Sequence, residues 1–464
     1  MTGLTAKIAA ARAVGELARR AGRGGGTSLP GKVLMRLEPN AIAELSTRLP
    51  RGCALISATN GKTTTAAMVA SVLERTGIAL VHNRAGANMA GGIASSLLAA
   101  AGPRGAIEGE LGLFEVDEFW LDRLAVELRP RAIVLGNLFR DQLDRYGELD
   151  TIAERWGAAV GGGGPGESAR LVCNADDPLV ADLGRERPEV LYFGVDDESL
   201  ALEGMAHAAD AKHCRRCGAP YEFDAVYLGH LGHYHCPSCG RERPSPAVLA
   251  RSVVLEGVRS ARFELRTPEG EAQVRLALPG LYNVYNALAA AALAVAFEIP
   301  LALIVDGLQR TRAAFGRAET LAVAGRETRI LLVKNPAGAN EVLRTLALEP
   351  GAHDLLGVLN DKTADGHDVS WIWDADFELL AGRVRRATCS GTRAAELALR
   401  LKYAGIEPER ITVVDDLERA LMEAAGDVVD GGGKPPLYVL PTYTGMLALR
   451  DQLVRRGEAS SSWA

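Results

Sequence analysis

Short apolar runs alternate with longer amphipathic runs along two stretches of the chain. Helical periodicity separates the apolar runs of the first stretch, which lie at 53–56, 79–81, 113–116, 132–135, 171–174 and 190–193. In the second stretch, which begins after residue 315, the runs lie at 328–333, 355–359, 387–389, 411–414 and 437–440. Alternation of this kind predicts parallel sheets with helices on both faces. We therefore predict two α/β domains.

Three segments depart from this alternation. Residues 5–21 are amphipathic and basic, and charged positions interrupt any signal-peptide core, so we expect a first helix there. Around 205–243 the alternation stops, which indicates an insertion, and 253–278 alternates at period two, as an antiparallel hairpin does. The predicted parts are an N-terminal helical segment, a central domain that contains the insertion and a C-terminal α/β domain, at 1–50, 51–314 and 315–464.

Composition narrows the class of protein. Of the 464 residues, 24% are charged and 48% are hydrophobic, and the net charge is −6. Broad binding of nucleic acid needs a basic face that neutralises phosphates, so this balance argues against it. The longest apolar run, 287–297, is shorter than the roughly 18 to 20 residues that cross a bilayer. We expect a cytoplasmic protein without a transmembrane segment.

The segment after the first predicted strand has the residues of a phosphate-binding loop. Backbone N–H groups converge at a helix start, Lys62 adds a charge for the outer phosphates, and the Thr63 hydroxyl can bind Mg²⁺. The common pattern G-x-x-x-x-G-K-[ST] would have Gly at Ile56, so the turn here is shorter. A loop that only leads into a capped helix is the alternative. The predicted nucleotide-binding residues are Thr59, Asn60, Gly61, Lys62, Thr63 and Thr64.

Acidic residues end a later predicted strand. Glu115, Asp117 and Glu118 close the apolar run at 113–116. Ligands of parallel sheets bind at the carboxyl ends of the strands, and a carboxylate there can complete a Mg²⁺ shell begun by Thr63. The alternative is a solvated strand end.

Four of the seven cysteines form two pairs, Cys214-x-x-Cys217 and Cys236-x-x-Cys239, with about 18 residues between the pairs. This is the spacing of a four-thiolate zinc ribbon, and a glycine after each pair allows the tight turn. A redox dithiol, the alternative, would usually show one pair. Because all four ligands would be protein thiolates, we expect a structural zinc and not a catalytic one.

The other cysteines and the histidines near the ribbon have simpler explanations. Cys53, Cys173 and Cys389 lie in apolar or mixed sequence, so we expect small core residues. Three histidines are expected on the ribbon surface, at His213, His233 and His235.

Taken together, the motifs resemble those of the Mur ligase family, the ATP-dependent amide-forming enzymes of peptidoglycan synthesis. The resemblance rests, in the family's order, on Thr59-Asn60-Gly61-Lys62-Thr63-Thr64, Glu115, the runs 141–146 and 174–178, Gly280-x-x-Asn283-x-x-Asn286 and Gly316-Arg317-x-Glu319. It implies that Lys62 and Thr63 bind the β- and γ-phosphates and Mg²⁺. It also implies that Glu115 is the other Mg²⁺ ligand, that Asn286 meets the adenine and that Arg317 reaches toward phosphate. Gln142 stands where many relatives have His, and the ordinary ligases lack the ribbon.

Within the family, the chain is similar to the synthetase subunits that amidate the stem peptide of lipid II. Beside the ribbon, this similarity rests on Asn83-x-x-Gly86-Ala87-Asn88-Met89, Lys334-Asn335-Pro336-Ala337-Gly338 and Asn360-Asp361-Lys362-Thr363-Ala364-Asp365-Gly366-His367-Asp368-Val369-Ser370-Trp371. It implies that ATP phosphorylates the α-carboxylate of D-glutamate and that ammonia then displaces phosphate to give D-isoglutamine. The lipid-linked substrate implies action at the inner face of the cell membrane.

The source of ammonia follows partly from the cysteines. Glutamine hydrolysis needs a Cys nucleophile with a His base, and neither Cys53 nor Cys389 lies in a G-x-C-x-G elbow. A partner glutaminase, called GatD in the family, is therefore expected. The resemblance implies that a C-terminal carboxylate orients the partner's His, and motif position gives Asp368, with Asp365 as second choice. The alternative is that both acids only shape a polar turn.

Two other functions stay open at this point. A ligase of folylpolyglutamate or cyanophycin type would share the loop and the two-domain ATPase but join an amino acid instead of ammonia. The ribbon and the 365–368 motif argue against it. A zinc-ribbon, nucleic-acid-binding ATPase is the second alternative, and the acidic charge and the lack of clustered basic and aromatic residues argue against that.

Overall fold

Three helices begin the chain. The computed structural model describes residues 3–20, 28–83, 87–102, 105–141, 149–204, 209–312, 317–426 and 435–459. The first helices are α1 (Gly3–Arg20), α2 (Leu29–Leu37) and α3 (Ala41–Ser46). Their apolar faces, including Ile8, Leu34 and Ile42, are buried in one core with the following domain. The helix predicted at 5–21 is thereby confirmed. None of the helices in the described ranges is long and apolar enough to cross a membrane.

A large twisted sheet forms the centre of the next part of the chain. Its segment contains the strands β1 (Cys53–Ser57), β2 (Leu80–His82), β3 (Leu111–Glu115), β4 (Ala132–Leu135), β5 (Arg170–Asn174), β6 (Val190–Val195), β7 (Glu222–Leu228), β8 (Leu231–His235), β9 (Val248–Glu256), β10 (Ser260–Thr267) and β11 (Gly270–Leu276). All except β7 and β8 form one sheet, in the order β11-β10-β9-β6-β5-β4-β1-β3-β2. Each neighbouring pair along β9-β6-β5-β4-β1-β3-β2 is parallel. The pairs β9–β10 and β10–β11 are antiparallel, which confirms the predicted hairpin.

Helices cover both faces of this sheet, as predicted. They are α4 (Lys62–Glu74), α5 (Ala90–Ala100), α6 (Leu121–Leu128), α7 (Leu149–Val160), α8 (Pro178–Gly184), α9 (Leu281–Ala296) and α10 (Leu301–Arg310). The alanine-rich α9 is buried along almost its whole length, because small side chains let neighbouring elements approach closely. It packs beside α4, which brings the Asn283 and Asn286 side chains next to the loop that follows β1.

A separate two-stranded hairpin, β7 with β8, lies in the chain between β6 and β9. Its turn packs into the core of the large sheet, through Tyr227, Leu228 and Leu231. The other end carries the four clustered cysteines. The insertion predicted around 205–243 is therefore a ribbon attached to the sheet through its turn.

The C-terminal part contains a second sheet. Its strands are β12 (Arg317–Val323), β13 (Arg326–Leu331), β14 (His353–Val358), β15 (Val384–Ser390), β16 (Ile411–Val413) and β17 (Leu437–Pro441), in the order β12-β13-β17-β14-β15-β16. Only the β12–β13 pair is antiparallel. The helices are α11 (Pro336–Ala347), α12 (Ala394–Tyr403), α13 (Leu417–Gly426) and α14 (Tyr443–Arg455). The five predicted strands are present, and β12 is an additional edge strand that the apolar pattern did not predict.

Candidate functional site

The loop between β1 and α4 has the conformation that a phosphate-binding loop requires. Gly61 has φ +89°, in the left-handed region that favours glycine, and α4 begins at the next residue. A Cβ atom on Gly61 would collide with Oδ1 of Asn286 on α9. Glycine is therefore required both by the backbone conformation and by the close approach of Asn286. The loop ends at the N-terminus of a 13-residue helix, where N–H groups and the helix dipole favour an anion.

Lys62 is buried at the start of this helix. Its Nζ donates to the carbonyl oxygens of Ala58 and Thr59 and pairs with Glu118 Oε2 at 2.8 Å. Burial lowers the pKa of Lys62, but the carboxylates of Glu118 and Asp117 raise it by more, so the ammonium is kept charged. A phosphate group bound near Lys62 would thus interact with a positively charged ammonium, because the two carboxylates keep Lys62 protonated.

Thr63 and Glu115 lie together at the carboxyl edge of the sheet. The Thr63 hydroxyl donates to Glu115 Oε2 at 2.7 Å. The backbone of Glu115 is held by Asn83, whose Oδ1 accepts from Glu115 N at 2.9 Å and whose Nδ2 donates to Glu115 O at 2.8 Å. A hydroxyl and a carboxylate are hard oxygen ligands of the kind that Mg²⁺ prefers. These two predicted residues fit a magnesium ion.

The loop after β4 supports the phosphate-binding loop from one side. The side chain of Asn137 exchanges hydrogen bonds with the backbone of Asn60, at 2.9 and 3.0 Å. Phe139 N donates to Thr59 Oγ1 at 3.0 Å. The backbone of the phosphate-binding loop is therefore fixed by hydrogen bonds. Of the run 141–146, only Asp141 belongs to the described residues.

Residues of the C-terminal part complete the site from the opposite side. Lys334 Nζ pairs with Asp141 and donates to Thr59 O at 3.2 Å. Burial raises the pKa of Asp141, and the Lys334 ammonium, which lowers it, offsets this effect only in part. Asn335 is the N-cap residue of α11, and its Oδ1 accepts from Gly338 N at 2.8 Å. In the sequence, Lys334 and Asn335 were recognised only as part of a family motif, and their contacts with the phosphate-binding loop were not predicted. The Asn-Pro pair, which is typical of a helix start, was the local pattern that could have indicated the position of Asn335.

These elements enclose a cavity of about 320 Å³ between the two sheets. The side chains of one group of lining residues are polar or charged: Thr59, Asn60, Lys62, Thr63, Thr64, Glu115, Asp117, Glu118, Asn137, Asp141, Asn283, Asn286, Lys334 and Glu341. A second group is apolar or aromatic and includes Leu228, Leu231, Tyr282, Leu331 and Val342. A cavity of this size with one charged and one apolar group of walls suits a nucleotide.

Other predicted site residues have different surroundings. Asn286 Nδ2 donates to Asn283 Oδ1 at 3.1 Å, and its Oδ1 accepts from Thr65 at 3.3 Å, so its amide lies beside the phosphate-binding loop. Arg317 begins β12, but its side chain is outside the described part of the structure.

Asp365 and Asp368 differ sharply in their environment. Asp365 is buried, and its two carboxylate oxygens accept from the backbone N–H (2.8 Å) and the hydroxyl of Thr444 in the first turn of α14. Asp368 is exposed, and its Oδ1 accepts from Ser370 N at 2.8 Å. Hydrogen bonds from the Ser370 side chain and backbone lower the pKa of Asp368, so it is ionised at neutral pH.

The four ribbon cysteines converge on one point. Cys214 Sγ lies 3.6 Å from Cys239 Sγ, Cys217 Sγ lies 3.4 Å from Cys236 Sγ, and all four sulfur atoms are within 4.8 Å of one another. Four sulfurs at about 2.3 Å from a tetrahedral ion would be roughly 3.8 Å apart. The cluster is therefore compatible with zinc.

The remaining cysteines and histidines meet the expectations only in part. Cys53, Cys173 and Cys389 are buried, as predicted, and burial raises the pKa of Cys53 and of Cys389 to about 12. His213 is exposed, and the side chain of His235 is 38% exposed. His233 is half-buried, with Nε2 3.0 Å from Val195 O. The surface expectation was wrong for His233 because the hairpin lies against the end of β6.

Comparison with known proteins identifies the family. Residues 56–234 match the Mur ligase middle domain, and residues 332–446 match the MurT ligase C-terminal domain. The chain is 33% identical over 435 residues to the Streptococcus pneumoniae protein named lipid II isoglutaminyl synthase (glutamine-hydrolyzing) subunit MurT, with 93% of each chain covered. This chain belongs to the MurT family. A MurT protein of Staphylococcus aureus with the same name is 32% identical, with 96% of this chain and 98% of the relative covered.

A solved structure supports the same fold for this MurT family member. A pseudomurein peptide ligase type C from Methanothermus fervidus superposes with a TM-score of 0.64, at 23% identity, covering 89% of this chain and 80% of that one. The architecture is thus that of a Mur ligase, an α/β fold with parallel sheets and a C-terminal domain. The four-cysteine ribbon is a feature of this chain within that architecture.

Proposed function

We propose that this chain is the ATP-dependent ligase subunit of a lipid II isoglutaminyl synthase. It activates the α-carboxylate of D-glutamate in the lipid II stem peptide and amidates it to D-isoglutamine. The observation that carries the proposal is similarity over nearly the full length, at 33% and 32% identity, to two proteins of that name. The cavity of this chain also contains Gly61, Lys62, Thr63 and Glu115 together.

The cavity residues have distinct roles in the proposed reaction. The N–H groups around Gly61 and the Lys62 ammonium bind the phosphates of ATP, and Thr63 with Glu115 would hold Mg²⁺. At that position the ion would neutralise charge on the outer phosphates. Lys334 faces the same cavity from the C-terminal side, so it adds a second cation to the phosphate end.

The reaction has two steps. First, a carboxylate oxygen attacks the γ-phosphorus, the bond from that phosphorus to the β–γ bridging oxygen breaks, and ADP leaves. Second, the nitrogen lone pair of ammonia attacks the acyl carbon, the carbon–oxygen bond to phosphate breaks, and phosphate leaves with that electron pair while the nitrogen loses a proton. Positive charge around the transferred phosphoryl group stabilises both transition states.

A partner must supply the ammonia. Outside the ribbon, the three cysteines are buried, and burial raises their thiol pKa, so none of them suits a glutaminase nucleophile. The relatives are named as subunits of a glutamine-hydrolysing enzyme. We take the partner to be the glutaminase GatD, and the complex to work on the cytoplasmic face of the membrane, where it meets its lipid-linked substrate.

Asp368 is the carboxylate best suited to complete the partner's Cys–His pair. It is exposed and ionised, whereas both oxygens of Asp365 are engaged by Thr444. The 3₁₀ turn that begins at Ser370 ends at Trp373, which is exposed and lies edge-on to Tyr403 at 5.8 Å between ring centroids. Trp373 is five residues from Asp368 in the chain, and an exposed aromatic pair of this kind is an anchor that protein interfaces use.

The proposal is tested by reconstitution. The chain and its glutaminase partner, given lipid II, glutamine and Mg–ATP, should release one ADP for each D-isoglutamine formed, as measured by coupled ADP assay and mass spectrometry. Lys62→Ala should abolish both products in a chain that still folds, with a lower unfolding temperature because Glu118 loses its buried partner. Lys32→Ala, at an exposed position on α2, should change neither product. If the wild-type complex consumes no ATP with this acceptor, the proposed function is wrong.

A further inference from the structure

The cysteine cluster lies at one end of the β7–β8 hairpin, and the turn at the other end lies at the nucleotide cavity. Leu228 and Leu231 pair in register on either side of the turn, and both line the cavity. They are buried, at 4% and 1% exposed. Cys236 follows β8 directly, so about five extended residues, roughly 16 Å, separate the cysteine cluster from the cavity wall.

The two leucines belong to the apolar group of cavity walls. Tyr282 of α9, Leu331 of β13 and Val342 of α11 line the same cavity. Tyr282 precedes Asn286 by about one helical turn, so it lies roughly 6 Å along α9 from the residue that contacts Gly61. Tyr282, one of the apolar lining residues, is thus offset along α9 from the phosphate-binding loop, as a base is offset from its phosphates.

The turn of the hairpin is anchored on the loop that supports the phosphate-binding loop. His230 is fully buried, its ring lies 4.7 Å from that of Phe139, and its Nε2 is 3.4 Å from Asp177 Oδ1. Gly229 has φ +59°, and a Cβ there would come within 2.8 Å of the Phe139 ring. Because Phe139 N donates to Thr59, the hairpin and the phosphate-binding loop share one support.

We propose that Leu228 and Leu231 form a wall of the nucleobase pocket, and that His230 positions this wall against Phe139. The inference rests on the proposed use of ATP and gives the ribbon insertion a part in nucleotide recognition. Apolar side chains bind a base by burial of its face, so the wall contributes to binding of the nucleoside and not of the phosphates. Leu228 and Leu231 are then binding residues, and His230 is a positioning residue.

The test compares two ligands on the full-length chain in the presence of Mg²⁺. Calorimetry measures the dissociation constants of ADP, which has a base, and of inorganic tripolyphosphate, which has none. For Leu231→Ala and Leu228→Ala we expect ADP binding to weaken at least about tenfold while tripolyphosphate binding changes less than about twofold. His230→Ala should also raise the dissociation constant of ADP relative to that of tripolyphosphate.

A matched control separates the wall from the stability of the hairpin. Val226 is buried in the same strand but does not line the cavity, so Val226→Ala should leave both dissociation constants unchanged while lowering the unfolding temperature. Unchanged ADP binding in the leucine variants, or equal weakening of both ligands, would overturn the inference and leave the proposed function standing. A wild-type chain that binds neither ligand would overturn both.

Discussion

Asn60 and Asn335 face each other across the cleft and exchange two side-chain hydrogen bonds, of 3.3 and 3.0 Å. Asn60 belongs to the phosphate-binding loop, and Asn335 is the N-cap residue of α11 in the C-terminal part. The pair therefore joins the loop directly to the second sheet. Because Lys334 is the preceding residue and contacts Thr59 O, two adjacent side chains of the C-terminal part hold the same loop.

Replacing Asn335 by aspartate should weaken nucleotide binding. A carboxylate at this position cannot donate to Asn60, and its negative charge would lie close to the phosphates of the ligand. We expect the dissociation constant of Mg–ADP to rise about tenfold or more for Asn335→Asp, and less for Asn335→Ala, by calorimetry. Asn40→Asp is the matched control, because Asn40 is exposed at the start of α3, where aspartate caps equally well. Equal affinity for both aspartate variants would contradict a role of Asn335 at the site.

Gly61→Ala should disrupt the loop through two separate effects. Alanine in the left-handed region costs about 1 to 2 kcal/mol, and its Cβ would also collide with Asn286. Gly77→Ala has the same kind of strain, at φ +76°, but open space around the added atom. We expect both variants to lose stability in thermal unfolding, and only Gly61→Ala to lose ADP binding. If Gly77→Ala also lost ADP binding, backbone strain alone would explain the loss in Gly61→Ala, and the contact with Asn286 would not be needed.

Local patterns in the sequence predicted most of the fold. Buried strands such as 53–56 and 437–440 were recognisable because parallel strands covered on both faces are continuous apolar runs. The phosphate-binding loop was recognisable because strand, glycine turn and helix start are adjacent in the chain. The edge strand β12 was missed, since it begins at the predicted domain boundary and has no continuous apolar run. The boundaries near residues 50 and 315 stay predictions.

Contacts between distant parts of the chain were not predictable in the same way. Asn60 and Asn335 are 275 residues apart, and their pairing depends on how the two sheets face each other. The burial of His230 depends on where the ribbon turn packs, which no local pattern encodes. Motif position alone placed Asp368 before Asp365, and the physical difference between the two acids became visible only in their hydrogen bonds.

Asp365 and Asp368 should respond differently to the same substitution. Asp368→Asn should keep the unfolding temperature of the chain but reduce glutamine-driven amidation by at least tenfold, while ammonium-driven amidation is retained, because an amide cannot stabilise the partner's imidazolium. Asp365→Asn should instead cost about 1 to 3 kcal/mol of stability, because a buried acceptor for Thr444 is replaced by a donor. Thermal unfolding and the two nitrogen-donor assays measure both effects. Equal loss with both donors in Asp368→Asn would contradict its role toward the partner.

We predict that the four ribbon cysteines bind zinc, and that its removal unfolds the hairpin without disturbing the C-terminal sheet. Four thiolates that converge within 4.8 Å repel one another and are stable together only around a cation, so metal binding and ribbon folding are coupled. We expect one zinc per chain by metal analysis, and Cys217→Ser or a strong chelator should reduce it and increase amide exchange at 214–240. Cys173→Ala is the control, since Cys173 is buried in the large sheet and is not one of the four clustered cysteines, so its loss should leave zinc content unchanged. A metal-free chain with a fully protected ribbon would show that the hairpin folds on its hydrophobic contacts alone, in particular those of Tyr221 and Tyr234.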